Sequence, residues 1–164
     1  MNSALLQSVW SDSTTTADAT SGALDPAAPR ALWRLIQIGE AAGLVTPAHQ
    51  NTILEAFGDV GRPCESINRL LIRSRCGVTE LYVLVALRAA EPRPQSLQAL
   101  TQETLADSDS LRFALRQLEA LAAISTHVGG PGHLAITLTS SGRDLAVLLI
   151  YATLRTAVPP NPPE

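Results

Sequence analysis

Arg112 and Arg116 stand four residues apart, a spacing that puts both guanidinium groups on one side of a helix. Gln117 follows them, Ser108 and Ser110 precede them, and Phe113 lies between. A guanidinium offers forked donors to phosphate or to guanine O6 and N7, and a glutamine amide does the same for adenine. Ser110 at a helix start can bind phosphate through its hydroxyl and nearby backbone N–H groups. Phe113 has two readings: contact with a thymine methyl, or packing inside against Leu97 or Leu100, the second preferred. The bland reading of Arg112 and Arg116 is a solvated face paired with Asp109 or Glu119. His133, Arg88 and Arg93 are further candidates for contact with a phosphate backbone. Asp107 and Asp109 suit the dipole at a helix start but repel phosphate if they point outward.

These side chains need a scaffold, and the order of parts around them predicts one. An apolar helix over 78–89 comes first, then a short helix over 96–104, a turn rich in Asp and Ser, and a second helix over 110–121. On that second helix Leu111, Leu115 and Leu118 fall at core spacing. Two β-like runs, 124–128 and 134–138, flank Gly129-Gly130-Pro131-Gly132, and Leu138-Thr139-Ser140-Ser141-Gly142-Arg143 leads into a long apolar helix. The arrangement predicts a mainly α fold with a small β-wing, a winged helix-turn-helix that presents one helix to duplex DNA.

More helix lies outside that unit than it needs. Asp25 and Pro26 suit a helix start, and Leu32, Leu35, Ile36 and Gly39 follow at helical spacing until Gly43. Thr46-Pro47 opens a helix with Ile53, Leu54 and Phe57, closed by Gly58 and Gly61. A third, over 63–75, carries Ile67, Leu70 and Leu71 on one face and Arg62, Arg69, Arg73 and Arg75 around the other. The last helix, over 140–157, shows Leu145, Leu148, Leu149, Ala152 and Leu154. Apolar helices at both ends suggest a homodimer interface, preferred here over a monomer whose ends cover one core. The expected division is a flexible segment 1–24, scaffold helices 25–76, the winged helix-turn-helix 77–139, a dimerisation helix 140–158 and a Pro-rich tail 159–164. Residues 11–21, nearly all Ser, Thr, Asp and Ala, lack apolar periodicity; 4–10 form either a docking turn or a frayed end.

Composition narrows the class. Hydrophobic content of 46% argues against disorder, and 4% aromatics require an aliphatic core. All 12 basic residues are arginine, and the net charge is −3, unlike a histone-like coat. No secretory signal is visible, and the apolar run 145–152 is too short to span a bilayer, so a soluble cytoplasmic protein without membrane association is expected. Two cysteines make neither a disulfide framework nor a metal site. His49, His127 and His133 stand in no metal-ligand or nucleophile–base spacing, and Gly129 to Gly132 opens no helix. No enzyme and no cofactor are expected.

The stretch from Gly77 to Tyr151 resembles the MarR family of bacterial transcription regulators. Gly77-Val78-Thr79-Glu80-Leu81-Tyr82-Val83-Leu84 is similar to the family's Gly-Leu-Thr opening, and Leu97-Gln98-Ala99-Leu100 to its first helix-turn-helix segment. Leu118-Glu119 with Leu121-Ala122-Ala123-Ile124 is similar to its Leu-Glu-x-x-Gly-Leu-Ile exit, and Leu138-Thr139-Ser140-Ser141-Gly142 to the Leu-Thr-x-x-Gly after its wing. The resemblance implies a dimer joined by its terminal helices, with a winged helix at each lower corner. Three departures stand out: Ala122 replaces a glycine, 129–133 lacks the family's Asp-x-Arg, and the reading helix carries little positive charge.

The resemblance also implies a regulatory pocket for small aromatic ligands, which Trp33, Arg69, Arg73 and Tyr82 could line, although a lone Trp is more often core. Some relatives sense oxidants through cysteine. Cys64 precedes a helix near Arg62, which favours thiolate, whereas Cys76 sits at a helix end where the dipole opposes it. Both also read as ordinary small apolar residues. The main expectation is a regulator that reads a pseudo-palindromic operator as a homodimer, open to release by a ligand. The alternative is a winged-helix protein-interaction module with little or no DNA binding, which the acidic balance and the bare wing support.

Overall fold

The run Glu80 to Leu87 is buried on every side, and the rest of the molecule is arranged around it. A helix apolar all round must sit in the core rather than on the surface. The computed structural model describes residues 28–57, 63–128 and 133–158. In chain order these form α1 (Arg30–Ala41), a 3-10 turn (Pro47–His49) running into α2 (Gln50–Phe57), α3 (Glu65–Arg73) and α4 (Val78–Ala90). Then come α5 (Leu97–Thr104), α6 (Ser108–Ala120), β1 (Ile124–Val128), β2 (Leu134–Leu138) and α7 (Ser140–Ala157). α4 is the axis: α1, α5, α6, α7 and β2 all pack against it, and α3 packs on α7. The core is aliphatic, with Phe57 and Tyr82 its two aromatic members, ring centroids 6.0 Å apart.

The expected starts near Asp25 and Pro26, the segments 4–10 and 11–21, Gly58, Gly61, Arg62, the wing tip 129–132 and the tail 159–164 lie outside the described residues. Within them the winged unit is as the residue pattern predicts, and both strands have the expected bounds. β1 and β2 pair antiparallel, from Ile124 opposite Leu138 to Val128 opposite Leu134, and Gln95 adds a bridge to Ile136.

Helix ends differ from the expectation where side-chain caps decide them. α6 begins at Ser108 rather than Ser110, because Asp107 takes the N-cap and accepts from the Ser110 N–H at 2.7 Å. α3 ends at Arg73, and Arg75 turns left-handed with φ of 60° while Cys76 N–H reaches back to the Leu71 carbonyl at 2.9 Å. α6 ends the same way: Ala122 has φ of 60°, Ala122 N–H bonds the Glu119 carbonyl and Ala123 N–H the Leu118 carbonyl, each at 2.9 Å. That double closure usually places glycine at the left-handed position, which is why Ala122 stands out.

Candidate nucleic-acid interface

α5 and α6 form the helix-turn-helix, and hydroxyl and carboxylate caps set the turn between them. Ser96 Oγ accepts from Ala99 N–H at 3.0 Å and starts α5; Leu105, left-handed with φ of 56°, ends it. Asp107 then starts α6 and also accepts from the Ser110 hydroxyl at 3.1 Å. These bonds from the Ser110 N–H and hydroxyl hold the Asp107 carboxyl below its ordinary value. Ser110, read as a phosphate ligand, thus has its N–H and its hydroxyl engaged by the Asp107 carboxylate. Ser108, on the first turn, is exposed.

α6 buries Leu111, Ala114, Leu115 and Leu118 and exposes Arg112, Phe113, Arg116 and Gln117. Neither arginine forms an ion pair among the described residues; Glu119, one expected partner, accepts from the Thr126 hydroxyl of the wing at 3.0 Å. Phe113 does not pack against Leu97 or Leu100. It is 58% exposed, because position 113 falls outside the spacing of the buried positions 111, 114, 115 and 118. Phe113 borders an open, largely apolar cavity of about 450 Å³ against Val78 and Thr79 of α4.

The wing is locked to the end of α6 by Thr139 and Gly142. Thr139 N–H donates to the Ala123 carbonyl at 3.0 Å, and its hydroxyl donates to the Ala122 carbonyl at 2.6 Å. The same oxygen accepts from Gly142 N–H at 3.0 Å, capping α7. A Cβ at Gly142 would overlap the Ala123 carbonyl, so only glycine lets α7 approach this closely. The Thr-x-x-Gly spacing is visible in the sequence, but its partner segment is not. His133 is exposed at the start of β2.

Arg88 donates to Glu91 at 2.8 Å, and Glu91 accepts from Arg143 of α7 at 2.5 Å. Burial pushes the Glu91 carboxyl up, but hydrogen bonds and charge from Arg143 and Arg88 outweigh it and hold the group below its ordinary value. Arg88 thus braces α4 against α7 through Glu91, and Arg93 beyond it is exposed. Arg34 of α1 grips Glu103 of α5 at 2.7 and 3.2 Å, and the Glu103 hydrogen bond raises the Arg34 pKa. Glu103 is buried, and no helical spacing marks it in advance.

The four residues read as a ligand pocket line neither the cavity beside Phe113 nor a second groove at Arg34 and Glu103. Tyr82 is core, and its burial pushes the phenol pKa up. Arg69 pairs with Glu65 on the surface at 2.9 Å, Arg73 is exposed, and half-buried Trp33 has an Nε1 without a hydrogen-bond partner. The second groove, about 350 Å³, is walled instead by Arg34, Arg93, Gln95 and Glu103. The Cys64 thiol is exposed at the N-cap of α3, and Cys76 is buried, its pKa pushed up to about 11 by desolvation and then by Glu80. Among the described residues no His, Cys, Asp and Glu cluster is placed to hold a metal ion, and no helix is long and apolar enough to cross a membrane.

The order of helices and the two-stranded wing define a winged helix-turn-helix, and solved structures share that fold. A MarR-family transcriptional regulator from Rhodococcus sp. RHA1 superposes with a TM-score of 0.52 at 15% identity, covering 73% of this chain and 77% of that one. One from Silicibacter pomeroyi gives 0.51 at 17% identity, covering 56% and 61%. A point mutant of MepR from a multidrug-resistant S. aureus clinical isolate gives 0.49 at 18% identity, covering 52% and 63%. The chain thus spans less than two thirds of the length of the last two. No family model matches the chain, and no curated protein does. The fold is a MarR-like winged helix.

Proposed function

We propose that this chain is a DNA-binding transcription regulator of the MarR type that reads a pseudo-palindromic duplex as a homodimer. One observation carries the reading: Arg112, Arg116 and Gln117 stand exposed, the arginines free of ion pairs among the described residues, on the outward face of the second helix of a helix-turn-helix. That helix enters the major groove, where forked Arg donors meet guanine and Gln meets adenine. Ser108 and His133 flank it toward the phosphates. The dimer surface is the outer side of α7, where Val147, Leu148 and Tyr151 are 50%, 65% and 46% exposed; Ile72 of α3, the helix packed on α7, is 66% exposed. Unpartnered apolar surface of this kind marks association.

The test is selection from a random duplex pool, then titration of the selected site at low and moderate salt. The expected site has two related halves about one helical turn apart, at roughly 34–36 Å. Arg112→Ala with Arg116→Ala should weaken binding at least about 30-fold, each lost base contact being worth about 1–3 kcal/mol. Sedimentation should give a dimer that Leu148→Glu splits. No duplex bound even at low salt would overturn the reading in favour of a protein-interaction module.

A further inference from the structure

We propose that Phe113 is a specificity residue that reads the 5-methyl group of a thymine next to the guanine taken by Arg116; this rests on the DNA-binding reading above. Positions 109, 113, 116 and 120 recur at i, i+4, i+7 and i+11, which places them on the crest opposite the buried stripe of Leu111, Ala114, Leu115 and Leu118. The two large side chains of that crest are Phe113 and Arg116, three residues apart and so neighbours on the helix surface. Three residues of helix rise about 4.5 Å, and stacked base pairs about 3.4 Å, so the two side chains address adjacent pairs.

The ring lies outside the buried core. It is 58% exposed, whereas the other phenylalanine, Phe57, is fully buried. One side of the ring borders the largely apolar cavity against Val78, which Glu80 and Asp109 also line, and the rest is exposed on the outer side of α6 that carries Arg112 and Arg116. Two exposed arginines on that side fit a polyanion better than an apolar protein surface. In the major groove one base alone carries an apolar group, the thymine methyl. An aromatic face beside a guanine-reading arginine therefore selects a thymine–guanine step in each half-site.

The experiment takes the tightest selected duplex and replaces each thymine in turn by deoxyuridine, which removes the methyl and leaves every hydrogen-bonding group. Substitution at the thymine beside the Arg116 guanine should weaken binding about threefold to fivefold per half-site, the worth of one buried methyl. Phe113→Ala should bind thymine and deoxyuridine sites alike, and Phe113→Leu should keep part of the difference. The melting temperature of Phe113→Ala should stay at the parent value. Equal parental affinity for both duplexes, with Arg116→Ala still weakening both, would overturn the methyl reading and leave the DNA reading standing. Unchanged DNA affinity of Phe113→Ala would assign the ring to a protein contact and also overturn it. Failure of the parent to bind any duplex would overturn both readings.

Discussion

Gly142→Ala tests whether the close approach of α7 to the exit of α6 holds the wing. The added Cβ would overlap the Ala123 carbonyl oxygen and stand 2.7 Å from its carbon and 3.1 Å from Ala123 Cα. Ordinary carbon contacts are about 3.5–4.0 Å, so the two segments must part by roughly 1 Å. Both sides are backbone, and no side chain can swing away. The separation loosens the Thr139 N–H bond to Ala123 (3.0 Å) and the Thr139 hydroxyl bond to Ala122 (2.6 Å). Two hydrogen bonds at about 1 kcal/mol each, with overpacking of about 1–3 kcal/mol, less about 0.5–1 kcal/mol gained by Ala over Gly in a helix, leave a net loss of about 2–4 kcal/mol. In a chain of this size Tm should fall by about 5–15 °C. Thermal melts followed by circular dichroism would measure it, with Ser141→Ala, one residue earlier and exposed, as the unaffected control. A Gly142→Ala protein melting within about 2 °C of the parent, a shift worth no more than about 1 kcal/mol, would refute the close-approach account.

Ala122→Gly should act in the opposite direction. It relieves a left-handed alanine at about 1–2 kcal/mol, offset by about 0.4–1 kcal/mol of unfolded-state freedom. The urea midpoint should rise, and a fall would count against the strain. In the native protein iodoacetamide should label Cys64 and spare Cys76, whose thiol is buried with a pKa of about 11; mass mapping that finds both labelled at similar rates would contradict the burial. Because the Glu91 carboxyl is held below its ordinary value of 4.5, its stabilisation is complete above that pH and fades as the pH falls through the lower folded value. Glu91→Gln should lose that part of the acid dependence, and parallel pH–stability curves for parent and variant would rule it out. Asp109, exposed on the crest of α6, should oppose the phosphates, so Asp109→Asn should raise duplex affinity about twofold to fivefold at low salt, with the gain shrinking as salt rises. An affinity that drops instead would mean the carboxylate contacts a base.

Much of this is legible in the sequence because the winged unit is built from local signals. The core stripe of α6, the caps at Ser96 and Thr139 and the strand bounds each depend on residues a few positions apart. Side-chain direction is where such signals fail. The general preference of aromatics for burial points Phe113 inward, yet its position breaks the period of Leu111, Leu115 and Leu118. Tyr82 is hard to place from sequence for another reason: a helix apolar on all sides gives periodicity nothing to orient, and the tyrosine lies in the core beside Phe57. The α7 stripe reads as one face, whereas the structure splits it, burying Leu149 and Leu154 and leaving Leu148 outside. The contact between Gly142 and Ala123, and the pair Arg34–Glu103 across 69 residues, depend on tertiary packing that no local pattern encodes.

An acidic chain that binds a polyanion needs its charges sorted rather than merely counted. The net charge is −3, yet the ion pairs among the described residues consume Arg34, Arg69, Arg88 and Arg143, each on a carboxylate away from the outward face of α6. Arg112 and Arg116 keep their guanidinium groups open. Of the nearby carboxylates, Asp107 is turned to Ser110 and Glu119 to Thr126, while Asp109 stays exposed on the crest. At physiological salt, charges more than about 8 Å away are largely screened, so under the proposed reading a duplex docked on α6 feels this local face and not the global sum. A face with two open arginines gives few phosphate contacts and a shallow salt dependence. Under the proposed DNA-binding reading, discrimination between sequences comes from base edges, and the burden of specificity falls on Arg112, Phe113, Arg116 and Gln117.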